Sequence, residues 1–238
     1  MRATGNNSSG SKDLSILIYR GGLSFFDRQN GKTEHYKTAA SGIMSPHEAC
    51  AAVEGYYSMH TAHKSAMAVV ADRCSTVVPQ KLFDEKLTAE YMECAGIDTM
   101  DRDIISARSY DMVFLTAIDK ALHERIDAIY KESVITAPAA LSVACTYRHA
   151  SRGTIVTVDV AGDTMTLTLR HGKRILFIDT LPVASHEDMV FYIERLLRDN
   201  DLDAPTVVCA GMAATATAEV LGRYYKVTAV NTEDYFTI

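Results

Sequence analysis

The sequence predicts an α/β fold built as two copies of one strand–strand–strand–helix–strand unit. Three observations predict it. Short β-type runs in each half are separated by Gly-containing turn signals, Asn30-Gly31 in the first and Ala161-Gly162-Asp163 in the second. Each set of runs leads into a serine-capped helix start, Ser45-Pro46-His47-Glu48 and Ser185-His186-Glu187-Asp188. The two series also keep register. Gly22 to Gly162 and Ser45 to Ser185 are both 140 residues, and Gly31 to Gly172 is 141. A constant offset of like features points to duplication.

In the first half, 15–19 (SILIY) is a β run broken by Gly21-Gly22, and 23–27 (LSFFD) is a second. After Gln29-Asn30-Gly31-Lys32 the chain returns as a strand over 33–40. Pro46 suits the first helical position and Glu48 the first turn, so a helix is predicted from Ser45 to about Met59. The continuous apolar run 66–71 (AMAVVA) reads as a strand buried on both faces. The second half repeats the order. Strands are predicted at 154–160 (TIVTVDV), 164–170 (TMTLTLR) and 174–180. A helix follows with Met189, Val190, Ile193, Leu196 and Leu197 on one face. A buried strand at 206–210 (TVVCA), a helix at 213–224 and a last strand at 226–230 complete it.

Between the halves, 82–100 reads as a helix plus loop. The segment 111–131 reads as one amphipathic helix, with Val113, Phe114, Ala117, Ile118, Leu122, Ile126 and Ile129 at helical spacing. The small apolar stretch 137–147 reads as a close-packed helix joining the halves, and Ala150-Ser151-Arg152-Gly153 as the linker. The expected organisation is a Gly/Ser/Asn-rich tail at 1–13, a first unit at 14–149 with its connecting helices, and a second unit at 150–238.

Composition narrows the function classes. A net charge of −6 argues against a nucleic-acid partner, because such affinity rests on Lys and Arg contacts to phosphate. No apolar stretch approaches the roughly 20 residues that span a bilayer. The N-terminal segment lacks the apolar core of a signal peptide. Five scattered cysteines with no CxxC pair read as reduced thiols. A cytoplasmic location is the expectation.

The residues with chemical promise lie at strand ends. Val158-Asp159-Val160-Ala161-Gly162-Asp163-Thr164 places an acid before a tight turn of small residues, and Cys209-Ala210-Gly211-Met212-Ala213-Ala214 follows the buried strand. The repeated unit resembles the ribonuclease H-like fold, and two in tandem resemble the actin-like ATPase superfamily. The first motif looks like that superfamily's second phosphate loop and the second like its adenosine loop, which usually has two adjacent glycines. The segment 134–160 resembles the helix-to-strand crossing of the type IV pilus actin-like proteins. The chain as a whole, including Val77-Val78-Pro79-Gln80-Lys81-Leu82-Phe83, is similar to a bacterial family of unknown function with an actin-like fold.

The resemblance implies a phosphate site of two hairpin turns, with glycine N–H groups on phosphate and a carboxylate from each half on the metal waters. Its members here would be Gly22, Asp159, Gly162, Thr164 and Gly211. The constant offset sets Tyr19 against Asp159, so the first half has glycines and no acid. The bland reading of Asp159 is a cap on a strand end. A ribonuclease H-type nuclease would need three or four converging carboxylates. Asp159 with Glu187 or Glu194 could begin such a set, yet 206–210 ends in Cys-Ala-Gly. His60 and His63, with Cys74 after them, form an incomplete zinc set, and the histidines read as solvated loop residues. Tyr56-Tyr57 and Tyr224-Tyr225 read as packing. The expectation is a non-catalytic actin-like protein that binds a protein partner or itself, without cofactor or metal. The alternative is a nucleotide-binding protein holding ATP with magnesium. A compact homodimer or a monomer is expected rather than a filament.

Overall fold

A computed structural model of the chain describes residues 13–37, 42–149 and 153–236. It divides into two compact units, Met1–Ala137 and Pro138–Ile238. The predicted tail lies outside the described residues apart from Asp13, as do 38–40 of the third predicted strand and most of the predicted linker.

The first unit begins with β1 (Leu14–Tyr19), β2 (Gly22–Asp27) and β3 (Lys32–Lys37), an antiparallel meander. Helix α1 (Pro46–Met59) follows. The Ser45 hydroxyl accepts from the Glu48 amide, and the Glu48 carboxylate accepts from the Ser45 amide. The chain returns as β4 (Ser65–Val70), parallel to β1. A small three-stranded sheet follows, made of β5 (Ser75–Pro79), β6 (Arg102–Ser109) and β7 (Met112–Asp119), with helix α2 (Thr88–Cys94) between β5 and β6. Helix α3 (Lys120–Ile129) and strand β8 (Glu132–Thr136) close the unit, and the large sheet runs β3-β2-β1-β4-β8. Its core sets Leu14, Ile16, Leu23 and Phe25 against Val53 and Tyr56 of α1 and Leu122 and Ile126 of α3. Phe25 stacks on Tyr56 at 4.2 Å between ring centroids.

Residues 111–131 differ from the single helix predicted for them. Their first half is β7 and only the second is α3. Six consecutive residues of β7 are buried. Val113, Leu115 and Ala117 face the small-sheet core with Met92, while Ile118 faces the core under α1 and α3. Burial on both faces needs a continuous apolar run, and such a run also satisfies a helical count. Asp119 supplies the true helix start, its carboxylate accepting from the Leu122 amide at 3.0 Å. Strands β5, β6 and β8 were not expected, and the predicted helix at 82–100 shrinks to two 3-10 turns and α2.

The second unit opens with α4 (Pro138–Arg148), then β9 (Thr154–Ala161), β10 (Thr164–His171), β11 (Arg174–Pro182), α5 (His186–Asp199), β12 (Thr206–Ala210), α6 (Ala214–Leu221), β13 (Lys226–Ala229) and α7 (Thr232–Phe236). Its sheet order, β11-β10-β9-β12-β13, matches that of the first unit strand for strand. Ser185 caps α5 in the same reciprocal way, with Asp188 as the returning acid.

The two faces of this sheet differ in chemistry. Val156, Val158, Met165, Leu167 and Leu169 meet α5 and α6 in an apolar core. The opposite face is polar and still buried. Ser142 of α4 bonds Thr168 at 2.8 Å, and Thr146 bonds Thr157 at 2.6 Å. Thr157 and Thr168 are direct cross-strand partners, so two hydroxyls one helical turn apart meet two hydroxyls side by side. This pairing explains why α4 groups with the second unit, whereas a boundary at 149/150 would leave it with the first. Hydroxyls in a dry interface must be paired, and the sheet of this unit pairs them.

Candidate functional site

Strand alternation decides where the acid points. Thr157 and Asp159 lie on the polar face of β9, and Val156 and Val158 on the apolar face. Asp159 is 3% exposed. The Tyr235 hydroxyl of α7 donates to its Oδ2 at 2.6 Å, with the Pro138 carbonyl oxygen 3.4 Å from that hydroxyl. On the other side, Ala210 is the β12 partner of Asp159 and Gly211 comes next. Gly211 has φ +80°, and a Cβ there would stand 2.0 Å from Asp159 Oδ1. Glycine is required twice over, by the left-handed backbone and by the carboxylate lying against it.

Burial pushes the Asp159 carboxyl up to about 7, partly countered by the Tyr235 hydrogen bond. Tyr235 is raised well above the usual phenol value, first by burial and then by the Asp159 charge. Cys145 beside them is pushed up to about 12, chiefly by burial, so it is an unreactive thiol. The Thr232 hydroxyl reaches the Gly211 carbonyl at 3.4 Å, which ties the start of α7 to the same strand end. A cavity of about 380 Å³ opens beside Tyr235, lined among others by Cys145, Arg148, His149 and Asn231.

The other predicted residues have separate places. Gly162 has φ +61° in the β9–β10 turn, where a left-handed residue is needed. Thr164 opens β10, and its hydroxyl donates to the Ala161 carbonyl at 2.9 Å across the turn. Gly162 also borders a groove of about 430 Å³ near the starts of α5 and α6. Gly22 belongs to the first unit. It is the first residue of β2, and a Cβ there would lie 2.2 Å from the Tyr36 carbonyl oxygen. The structure thus brings Asp159 and Gly211 together, with Gly162 and Thr164 at the adjoining turn.

The hairpins refine the repeat register. Tyr19 pairs with Gly22 across the first turn, and Ala161 with Thr164 across the second. Tyr19 therefore occupies the place of Ala161, and the residue corresponding to Asp159 is Leu17. The first half still carries no acid there.

Sequence reasoning did not find Tyr235. The available signal was an Asn-Thr-Glu-Asp helix start followed by two aromatics, and nothing local says where those aromatics land. The histidines also differ from expectation. His63 is 4% exposed, with Nε2 3.4 Å from Asp27, while His60 pairs with Glu34 at 3.1 Å. Among the described residues, no group of three or more His, Cys, Asp or Glu is placed to hold a metal ion. No helix among them is long and apolar enough to cross a membrane.

A family model described as "Protein of unknown function (DUF3822)" matches residues 3–225. The chain belongs to the DUF3822 family. No curated protein matches it. Among solved structures, a Bacteroides thetaiotaomicron protein with an actin-like ATPase fold and unknown function is similar at a TM-score of 0.67. The two are 13% identical, over 95% of this chain and 94% of that one. The PilM–PilN type IV pilus biogenesis complex is similar at a TM-score of 0.59 and 10% identity, covering 94% of this chain and 89% of that one. The DUF3822 chain has the actin-like ATPase fold.

Proposed function

We propose that this DUF3822 protein is a non-catalytic actin-like protein that acts by binding a protein partner, its inherited phosphate site out of use. One observation carries the reading: the Asp159 carboxylate is buried beneath Tyr235. A magnesium ion keeps several of its waters and holds them against carboxylate oxygens. Here Oδ2 faces a phenol hydroxyl and Oδ1 faces the backbone of Gly211. These contacts leave the Asp159 carboxylate no open oxygen for the waters of a magnesium ion, which supports a reading without bound ATP. The neighbouring PilM–PilN structure, named as a complex of two proteins, supports partner binding on this frame. Five free cysteines support a reducing, cytoplasmic setting.

A thermal-shift titration with magnesium–ATP tests the reading. No rise in Tm is expected at millimolar nucleotide. A nucleotide bound at 100 times its Kd would add about 2.7 kcal/mol, or roughly 5–10 °C for a chain of this size. Such a rise, abolished by Asp159→Ala, would overturn the proposal and favour the nucleotide-binding alternative.

A further inference from the structure

Strand β11 ends the second sheet. It pairs with β10 on one side and with no strand on the other among the described residues. A free strand edge is a row of unpaired N–H and C=O groups ready to accept another chain. Natural edges are usually blunted by charges inside the strand. Here four apolar residues, Ile175-Leu176-Phe177-Ile178, run without interruption between Arg174, which opens β11, and Asp179, the one charge inside it. Leu176 is 37% exposed, and Ile175, Phe177 and Ile178 are partly exposed. Leu176 is also the extra residue of a bulge, since Leu169 pairs with Phe177 and Arg170 with Ile175.

The six residues are complementary to themselves. Laid antiparallel on a second copy, Arg174 meets Asp179, Ile175 meets Ile178, and Leu176 meets Phe177. The reverse pairs follow from the two-fold axis. Opposite charges and apolar side chains set directly across from one another are the pairs that stabilise an antiparallel ladder. A shift of the register by one residue sets Arg174 against Ile178 or Thr180 and loses both Arg174–Asp179 pairs; the first of these shifts leaves Asp179 opposite Lys173, which lies in the turn before β11.

We propose that a second copy of this chain docks on β11, joining two second-unit sheets edge to edge about a two-fold axis between Leu176 and Phe177. The occupant is identified by charge order: a strand bearing a cation and an anion in these places, with four apolar residues between them, is supplied by the chain itself. The contact is isologous, so it closes at two copies and does not propagate into a filament. Main-chain hydrogen bonds supply attraction, and the ion pairs supply register.

Sedimentation equilibrium on the full chain tests this, with Arg174→Glu, Asp179→Lys, and the double exchange Arg174→Asp with Asp179→Arg. The wild type is expected to show a reversible monomer–dimer equilibrium. Each single reversal places like charges across the axis twice and should weaken the dimer about tenfold or more. The double exchange restores complementarity and should recover affinity to within about threefold of wild type. Both positions are exposed, so unchanged far-UV circular dichroism is expected, and Leu176→Lys gives an independent disruption of the same edge. A wild type that stays monomeric at about 100 µM overturns the proposal. So does a dimer indifferent to the single reversals, or a double exchange no better than either single; those two results would assign the edge to a different partner strand or the dimer to a different surface.

Discussion

At the scale of single residues, Asp159 is expensive. A carboxyl raised from 3.8 to about 7 stabilises the fold only while it is protonated. Its contribution is fully present below pH about 4, where the unfolded chain is protonated too, and is lost as pH rises through about 7. Asp159→Asn removes that titration. In urea unfolding, the stability of wild type relative to Asp159→Asn should fall by about 2–3 kcal/mol between pH 5 and pH 8. An unchanged difference would mean that the acid is hydrated. Gly211 lies against the same carboxylate. Gly211→Ala should destabilise by about 2–4 kcal/mol, combining backbone strain with the collision on Oδ1. In an Asp159→Ala background the loss should shrink to the strain alone, and a double-mutant cycle measures that coupling. The need for an acid and a glycine was legible in the sequence. Their contact, and the tyrosine over them, joins positions far apart in the chain.

At the scale of elements, caps and turns were the legible part, because their chemistry is local. Ser45 and Ser185 sit where their side chains can satisfy helix N–H groups within three residues, and both do. Ser185→Ala should cost about 1 kcal/mol, seen as a lower urea midpoint with an unchanged m-value. Asn30-Gly31 and Gly162-Asp163 likewise became turns. The segment 111–131 was not legible, because periodicity counts apolar positions and does not know how many faces will be covered. Strand β7 is covered on both, and only Asp119 marks where strand gives way to helix. Strands β5, β6 and β8 were missed for a related reason. Each is short or half-polar; β5 and β8 are held by partners distant in sequence, while β6 is the first arm of a tight hairpin whose second arm, β7, reads as helix by apolar spacing.

At the scale of the whole molecule, two units of one strand order share a chain and differ in chemistry. The second buries two hydroxyls of its sheet, Thr157 and Thr168, against Thr146 and Ser142 of α4, hydroxyl matched to hydroxyl. Pairing of that kind specifies register more than it adds stability, and it moves α4 out of the first unit to which the sequence had assigned it. The free edge at β11 gives the molecule a route to a closed dimer. The tandem α/β plan, its turns, its capped helices and the missing acid of the first half were all determined by the sequence itself. Each depends on residues within a few positions or on a repeat that can be counted. The tertiary structure alone decided that Leu17 rather than Tyr19 stands in the place of Asp159, that β7 is a strand, and that Tyr235 closes over the acid. Those outcomes turn on strand register and on which faces become buried, and neither exists until the chain has folded back on itself.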